Sequence, residues 1–208
     1  MKELAHIAIA VLMAFVVFGF AFVFNGDYSS MAEIFIFSIV VVMIPIIVKK
    51  AVAYSLDARV EHSIWNVSRF GFRERDKMKT PLPFGIILPV VFAIFSSGIF
   101  KVMTFLTYDT QGLKHRAARK FSFYSYTEMT DWHNGLIGAA GVFVLWIIAI
   151  IGYLPGWEIM AKMAVYYAFW NMVPIAKLDG TQIYFGSRVL WTVFAVITLI
   201  FAFYAFVL

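Results

Sequence analysis

Leu4-Ala5-His6-Ile7-Ala8-Ile9-Ala10-Val11-Leu12-Met13-Ala14-Phe15-Val16-Val17-Phe18-Gly19-Phe20-Ala21-Phe22-Val23-Phe24 decides the fold class. Its only titratable side chain is His6, and as a helix the run is about 30 Å long, the thickness of a bilayer's hydrocarbon core. It exceeds the apolar core of a signal peptide, about 7–15 residues, and only Lys2 with Glu3 precedes it, so it reads as a retained anchor. Further apolar runs follow at 31–48, 82–107, 136–154, 159–175 and 189–208, punctuated by Asn25-Gly26-Asp27 and Pro155-Gly156. The expected fold is an all-α integral membrane protein, one domain over 1–208, with five to six transmembrane helices and the lipid bilayer as its first partner.

Composition agrees with this reading. Hydrophobic residues make up 62% of the 208 and charged residues 14%, against about 45–50% and about 25% in soluble domains. The 23 Phe, 10 Tyr and 6 Trp suit lipid-facing helices with aromatic belts at the interfaces. With no cysteine, disulfides and thiolate metal sites are excluded. The net charge of +5 fits loops beside anionic lipid rather than nucleic acid.

Charge also sets the orientation. Loop 49–79 carries eight Lys or Arg and loop 109–134 carries four, whereas the turns at 25–30 and 155–158 carry none. The positive-inside bias puts both long loops in the cytoplasm. They can share that side only if 82–107 enters and leaves by the same face. Pro81, Pro83 and Pro89 mark its start and Ser96-Ser97-Gly98 its middle, so a re-entrant hairpin is expected there, a single ordinary span being the alternative.

The segment with the most chemistry is Asn171-Met172-Val173-Pro174-Ile175-Ala176-Lys177-Leu178-Asp179-Gly180, at the end of an apolar run. An ionisable residue at membrane depth marks a functional site by default. Pro174 breaks the helix, Asn171 can bond the unwound strand, and Gly180 admits a backbone angle other residues resist. Read without its flanks, Asp179 is a helix-end carboxylate facing cytoplasmic water.

With its flanks, this Asn-x-x-Pro-x-x-x-Leu-Asp-Gly pattern resembles the second signature of the site-2 proteases, membrane-embedded zinc metalloproteases of M50 type. The continuation from Thr181 to Trp191 resembles archaeal members. Upstream, the stretch from Tyr126 to Trp132, followed by Gly135-Leu136-Ile137-Gly138-Ala139-Ala140-Gly141, resembles the approach to their Gly-Pro-x-x-Asn helix, although Val142 stands where the family has proline. The similarity covers roughly 31–200. It implies a plasma-membrane protein of a prokaryote acting in regulated intramembrane proteolysis, with Asp179 as the third zinc ligand and Asn171, Pro174, Leu178 and Gly180 shaping the groove.

The family's first signature, His-Glu-x-x-His on an earlier helix, supplies two ligands and a general base. It is absent. The stretch following the motif in the family resembles Lys50 to Glu61, which places Pro45, Ile46 and Lys49 at the two histidines and the glutamate: Pro45 and Lys49 for the histidines, Ile46 for the glutamate. A second register, Ala58 to His62, keeps only the last histidine. A catalytic zinc needs three protein ligands and an open position. Asp179 offers one, His6 and His62 read as surface residues, His115 sits among cations, and His133 lies near Asp131 and Glu128. Lys49 can instead pair with Asp179 and replace the ion's charge. No Gly-x-Ser-x-Gly elbow or phosphate-binding loop is present. Phe121 to Tyr126 reads as a short strand able to pair with a peptide, and Lys101 as a snorkelling lysine.

The expectation is therefore a catalytically inactive relative, without cofactor, that binds transmembrane segments of other membrane proteins. An active zinc metalloprotease in which His62 or His133 joins Asp179, and a small transporter or scaffold with Asp179 on an ion path, are the alternatives.

Overall fold

Length and apolarity decide which elements of the chain can cross a membrane. The computed structural model describes residues 2–24, 26, 28–69, 77–113 and 129–207. In chain order its elements are α1 (Lys2–Phe24), α2 (Met31–Ser55), β1 (Ala58–Ile64), β2 (Val67–Arg69), β3 (Lys77–Leu82), α3 (Phe84–Phe95), β4 (Leu106–Gly112), α4 (Asp131–Tyr153), α5 (Glu158–Met172), α6 (Asp179–Gly186) and α7 (Arg188–Val207). Among them α1, α2, α4 and α7, of 23, 25, 23 and 20 residues, are long and apolar enough to cross a membrane. The run expected as a span at 159–175 and the run expected as a re-entrant hairpin at 82–107 form shorter helices. α5 has 15 residues and carries Glu158 and Lys162, and α3 has 12; at 1.5 Å per residue these are about 22 and about 18 Å long.

α2 outruns its expected end at Val48 by two turns. Pro45 removes one backbone donor but leaves the helix continuous, because tertiary packing holds it on both sides. Val42, Pro45, Ile46, Lys49 and Ala53 are all buried, at the three- and four-residue spacing of a single helix face. Lys49 therefore points into the bundle, although its sequence neighbourhood reads as the start of a basic loop.

The stretch after α2 is a sheet rather than an irregular loop. β1 pairs antiparallel with β4 from Ala58↔Gly112 to Ile64↔Leu106. Ala58, Val60, His62 and Ile64 face inward while Arg59 and Glu61 face out, the period of a half-buried strand. β2 and β3 form a second, irregular pair. The strand expected at 121–126 lies outside the described residues.

Between the two sheets the chain makes an excursion that starts and ends at one residue. The Gly85 N–H donates to the Trp65 carbonyl at 2.9 Å, and the Trp65 N–H donates to the Phe105 carbonyl at 2.9 Å. From there α3 runs outward and the chain turns at Ser97 and Gly98, both with positive φ. It returns in extended form through Val102, Met103, Thr104 and Phe105, all buried. At the tip, Gly98 packs directly on the backbone of Ala21 in α1, where a β-carbon would stand 2.7 Å from the Ala21 Cα.

The core lies where α1, α2, α4 and α5 meet, around Val17, Ile34, Val41, Val42, Val142, Leu145, Met163 and Ala168. α7 packs on its flank. The Trp146 indole N–H donates to the Thr198 hydroxyl at 3.0 Å, and the same ring lies against Phe194 and Phe201. Thr198 and Ala205 are the fully buried residues of α7; Leu190, Trp191, Phe194, Ile197 and Phe201 pack partly buried on the core, while Val189, Val193, Val196, Leu199, Ile200 and Phe203 face outward.

Candidate functional site

α5 ends at Met172 because Pro174 has no N–H to offer the Trp170 carbonyl, which takes the Val173 N–H at 3.4 Å instead. The next residues close a tight loop. The Ile175 N–H donates to the Val173 carbonyl, the Leu178 N–H to the Ile175 carbonyl, and Ala176 sits at φ +52. Leu178 is buried and caps α6 in extended conformation, leaving Asp179 in the first turn, where the helix dipole favours a carboxylate. Another orphan carbonyl at the end of α5, that of Met172, accepts the Trp191 indole N–H at 3.2 Å.

Gly180 serves this loop by size, not by backbone angle. Its φ is not positive, contrary to expectation, but a β-carbon there would stand 2.0 Å from the Met172 carbonyl oxygen. Only glycine lets the first turn of α6 lie against the last turn of α5. Asn171 also acts differently from expectation. Its side-chain amide donates to the Tyr167 carbonyl at 2.8 Å and to the Met103 carbonyl at 3.5 Å, so it ties α5 to the extended return of the excursion rather than to its own loop.

At the centre of the site the Lys49 ammonium donates to Asp179 Oδ2 at 2.5 Å, with the two side chains 9% and 4% exposed. The pair joins α2 to α6 across 130 residues of sequence. Asp179 Oδ1 is buried without a hydrogen-bond partner among the described residues. The Lys49 ammonium also lies 4.9 Å from the centre of the Tyr108 ring, a favourable placement for a desolvated cation.

Glycines on α4 make room for this arrangement. Gly135, Gly138 and Gly141 recur every third residue on the face toward α2, β4 and α6. A β-carbon on Gly141 would stand 2.2 Å from Lys49 Cε, and one on Gly138 would stand 2.8 Å from the Tyr108 hydroxyl. That hydroxyl donates to the Asn134 carbonyl at 2.7 Å. Burial, with the Asp179 charge adding to it, keeps the Tyr108 phenol well above its ordinary range.

A second polar group borders the first. His62, opposite Tyr108 in the β1–β4 register, is buried. Glu3 accepts its backbone N–H at 3.1 Å, lies 3.3 Å from its Nδ1, and pairs with Lys50 at 2.7 Å. A neutral His62 protonated on Nδ1 suits this contact and leaves Nε2, which is buried without a partner among the described residues. Burial first, and the nearby Lys49 charge second, push His62 down to about 3.

Of the residues singled out in the sequence, Lys49 and Asp179 meet directly, with Leu178 and Gly180 flanking Asp179 at the start of α6; Pro45 and Ile46 are buried on the Lys49 face of α2, Asn171 is buried at the end of α5, and Pro174 lies in the loop between α5 and α6. His62 is near them on β1, not on a helix. In the second register Ala58 and His62 are the ends of a strand segment about 13 Å long, unlike two ligands one turn apart. His133 begins α4 and contacts Thr130; His115 and Glu128 lie outside the described residues. The Lys101 ammonium lies over the Phe18 ring. Tyr108, Glu3 and Asn134 were not legible as site residues. The signal that could have found Tyr108 is the inward alternation of β1, which requires a partner strand.

These residues do not fit a metal. The ammonium takes one oxygen of the sole buried carboxylate of the cluster, and its charge at that distance opposes a second cation. Among the described residues no three His, Asp or Glu side chains converge. No protein-family profile, no curated protein and no solved structure gave a significant match to this chain.

Proposed function

We propose that this chain is a non-catalytic relative of the site-2 proteases that accommodates transmembrane segments of other membrane proteins without cleaving them. The observation that carries the reading is the Lys49–Asp179 pair. These two positions, 130 residues apart, are the ones the resemblance assigns to the last histidine and the aspartate of the zinc site. Pro45, assigned to the first histidine, is buried one helical turn before Lys49 on the same face of α2. The ammonium thus supplies the positive charge that an ion supplies in a catalytic member, and no water is activated.

Two further features support the reading. The excursion leaves and returns at Trp65, which is compatible with the re-entrant segment expected over 82–107. An apolar cleft of about 220 Å³ between α5 and α7, lined by Met172, Val173, Pro174 and Trp191 among others, adjoins the loop that carries Asp179. It is large enough for an apolar side chain of a segment lying against it.

The test is to rebuild the missing signature. Pro45→His, Ile46→Glu and Lys49→His are introduced together, and zinc is measured in the purified protein beside the unmodified chain. Stoichiometric zinc in the triple variant, lost on adding Asp179→Ala, is expected, with none in the unmodified chain. A folded triple variant without zinc refutes the assigned positions. Stoichiometric zinc in the unmodified chain, lost in Asp179→Ala, refutes the non-catalytic reading.

A further inference from the structure

A second cleft, larger than the one beside the Asp179 loop, lies between α2, α4 and the start of α5. Its volume is about 520 Å³, and Val40, Ile44, Ile148 and Met160 form much of its wall. This apolar wall carries one charge, Glu33, in the first turn of α2. Among the described residues Glu33 has no ion-pair partner. Two aromatic rings line the cleft near it. Phe37 stands one turn after Glu33 on α2, and its ring centre is 6.0 Å from that of Trp157. A carboxylate beside two ring faces attracts a cation, through its own charge and through the negative faces of the rings, and repels an anion.

Dimensions narrow the occupant. From Glu33 to Ile44 the lining spans eleven residues of α2, about 16 Å of helix. A helix about 10–12 Å wide would fill roughly 1,200 Å³ over that length, more than twice the cleft. The cleft therefore seats a single alkyl chain and not a transmembrane helix. Ile36 and Ile151 line it and are exposed, so it opens sideways, where lipid lies. α2, of 25 residues, is about 37 Å long against a hydrocarbon core of about 30 Å, which lets its first turn stand at headgroup level. Trp157, in the turn before α5 and 51% exposed, has the place of an interfacial aromatic.

We propose that this cleft binds a phospholipid whose headgroup carries an ammonium. Glu33, Phe37 and Trp157 hold the ammonium, and one acyl chain lies along Val40, Ile44 and Ile148. The site shares no residue with the Lys49–Asp179 cluster and is independent of the family reading above.

Native mass spectrometry of the detergent-solubilised chain tests this, with phosphatidylethanolamine and phosphatidylglycerol added at equal concentration. The unmodified chain retains phosphatidylethanolamine preferentially. Glu33→Gln, at an exposed position that the fold does not depend on, reduces that adduct by about threefold, the effect of one exposed ion pair. Trp157→Leu reduces it by about threefold as well, whereas Trp157→Phe, which keeps a ring face, retains it. Glu158→Gln removes a nearby carboxylate that does not line the cleft and leaves the adduct unchanged. Equal retention by Glu33→Gln and the unmodified chain overturns the site. An equal loss in Glu158→Gln overturns it too, by assigning the preference to the general negative charge of that end. Displacement of the lipid by dodecyltrimethylammonium at the same concentration overturns a phospholipid as the occupant.

Discussion

Removing either member of the Lys49–Asp179 pair strands the other. Lys49→Met keeps the stem that packs on Gly141 and leaves a carboxylate with neither oxygen bonded by a described residue; Asp179→Asn keeps the shape and leaves an ammonium with little beyond the Tyr108 ring. Breaking a buried pair on one side costs about 3–5 kcal/mol, whereas replacing both charges is often close to neutral. Each single variant is therefore expected to lose about 3 kcal/mol. The double variant is expected to be no less stable than either, giving a coupling energy of at least about 3 kcal/mol. For a chain of 208 residues, a loss of that size lowers Tm by about 6–12 °C. Near-ultraviolet circular dichroism of the four proteins in one detergent, followed through thermal unfolding, reads the cycle. If the two single losses simply add in the double variant, the pair does not hold α2 to α6 and the argument for a charge-replaced metal site falls with it.

Three other outcomes follow from the same geometry. Gly141→Ala pushes the Lys49 stem aside and costs about 1–3 kcal/mol by overpacking; the same change in a Lys49→Ala background should cost clearly less, and an equal cost in both would mean the contact is elsewhere. Gly180→Ala sets a β-carbon against the Met172 carbonyl, backbone against backbone, and costs more than about 3 kcal/mol, read as loss of the monodisperse peak in gel filtration. For His62, held at about 3 in the fold against an ordinary 6.5, the unfolded chain binds the extra proton between those values. Stability is therefore full above about pH 6.5 and falls as pH drops toward about 3, by up to about 1.4 kcal/mol per pH unit. His62→Gln should flatten that part of a Tm-against-pH curve, and an unchanged slope would assign it to other groups.

The long helices were legible because twenty apolar residues in a row have few other solutions. What escaped the sequence depended on distant contacts. Lys49-Lys50 reads as the basic end of a span, yet only Lys50 reaches the surface; Lys49 turns inward because Asp179 waits there, and a linear pattern carries that pairing only as a hypothesis. β1 hides in a stretch rich in charge, its alternation disclosed by Ala58, Val60, His62 and Ile64 only once β4 supplies the partner. Gly180 was read for torsional freedom, a property of one residue, when its role is set by the approach of Met172 eight residues earlier. Asn171 was assigned to its own loop because no local pattern announces the Met103 carbonyl. The apolar run at 159–175 is longer than the helix within it, which ends at Met172 before Pro174, the break the sequence already marks.

The excursion has a consequence for how the chain is made. The carbonyls of Lys101 and Met103 receive their side-chain donors from Trp170 and Asn171, 69 and 68 residues later. At about 5–20 residues per second, a ribosome needs about 3–14 s to deliver those donors after the extended return has emerged. In hydrocarbon, unbonded carbonyls are too costly to wait that long. On the proposed re-entrant reading, the segment lingers at the membrane surface and packs between α1 and α5 only once α5 is in place, so that order of synthesis and order of burial are reversed for this part of the protein.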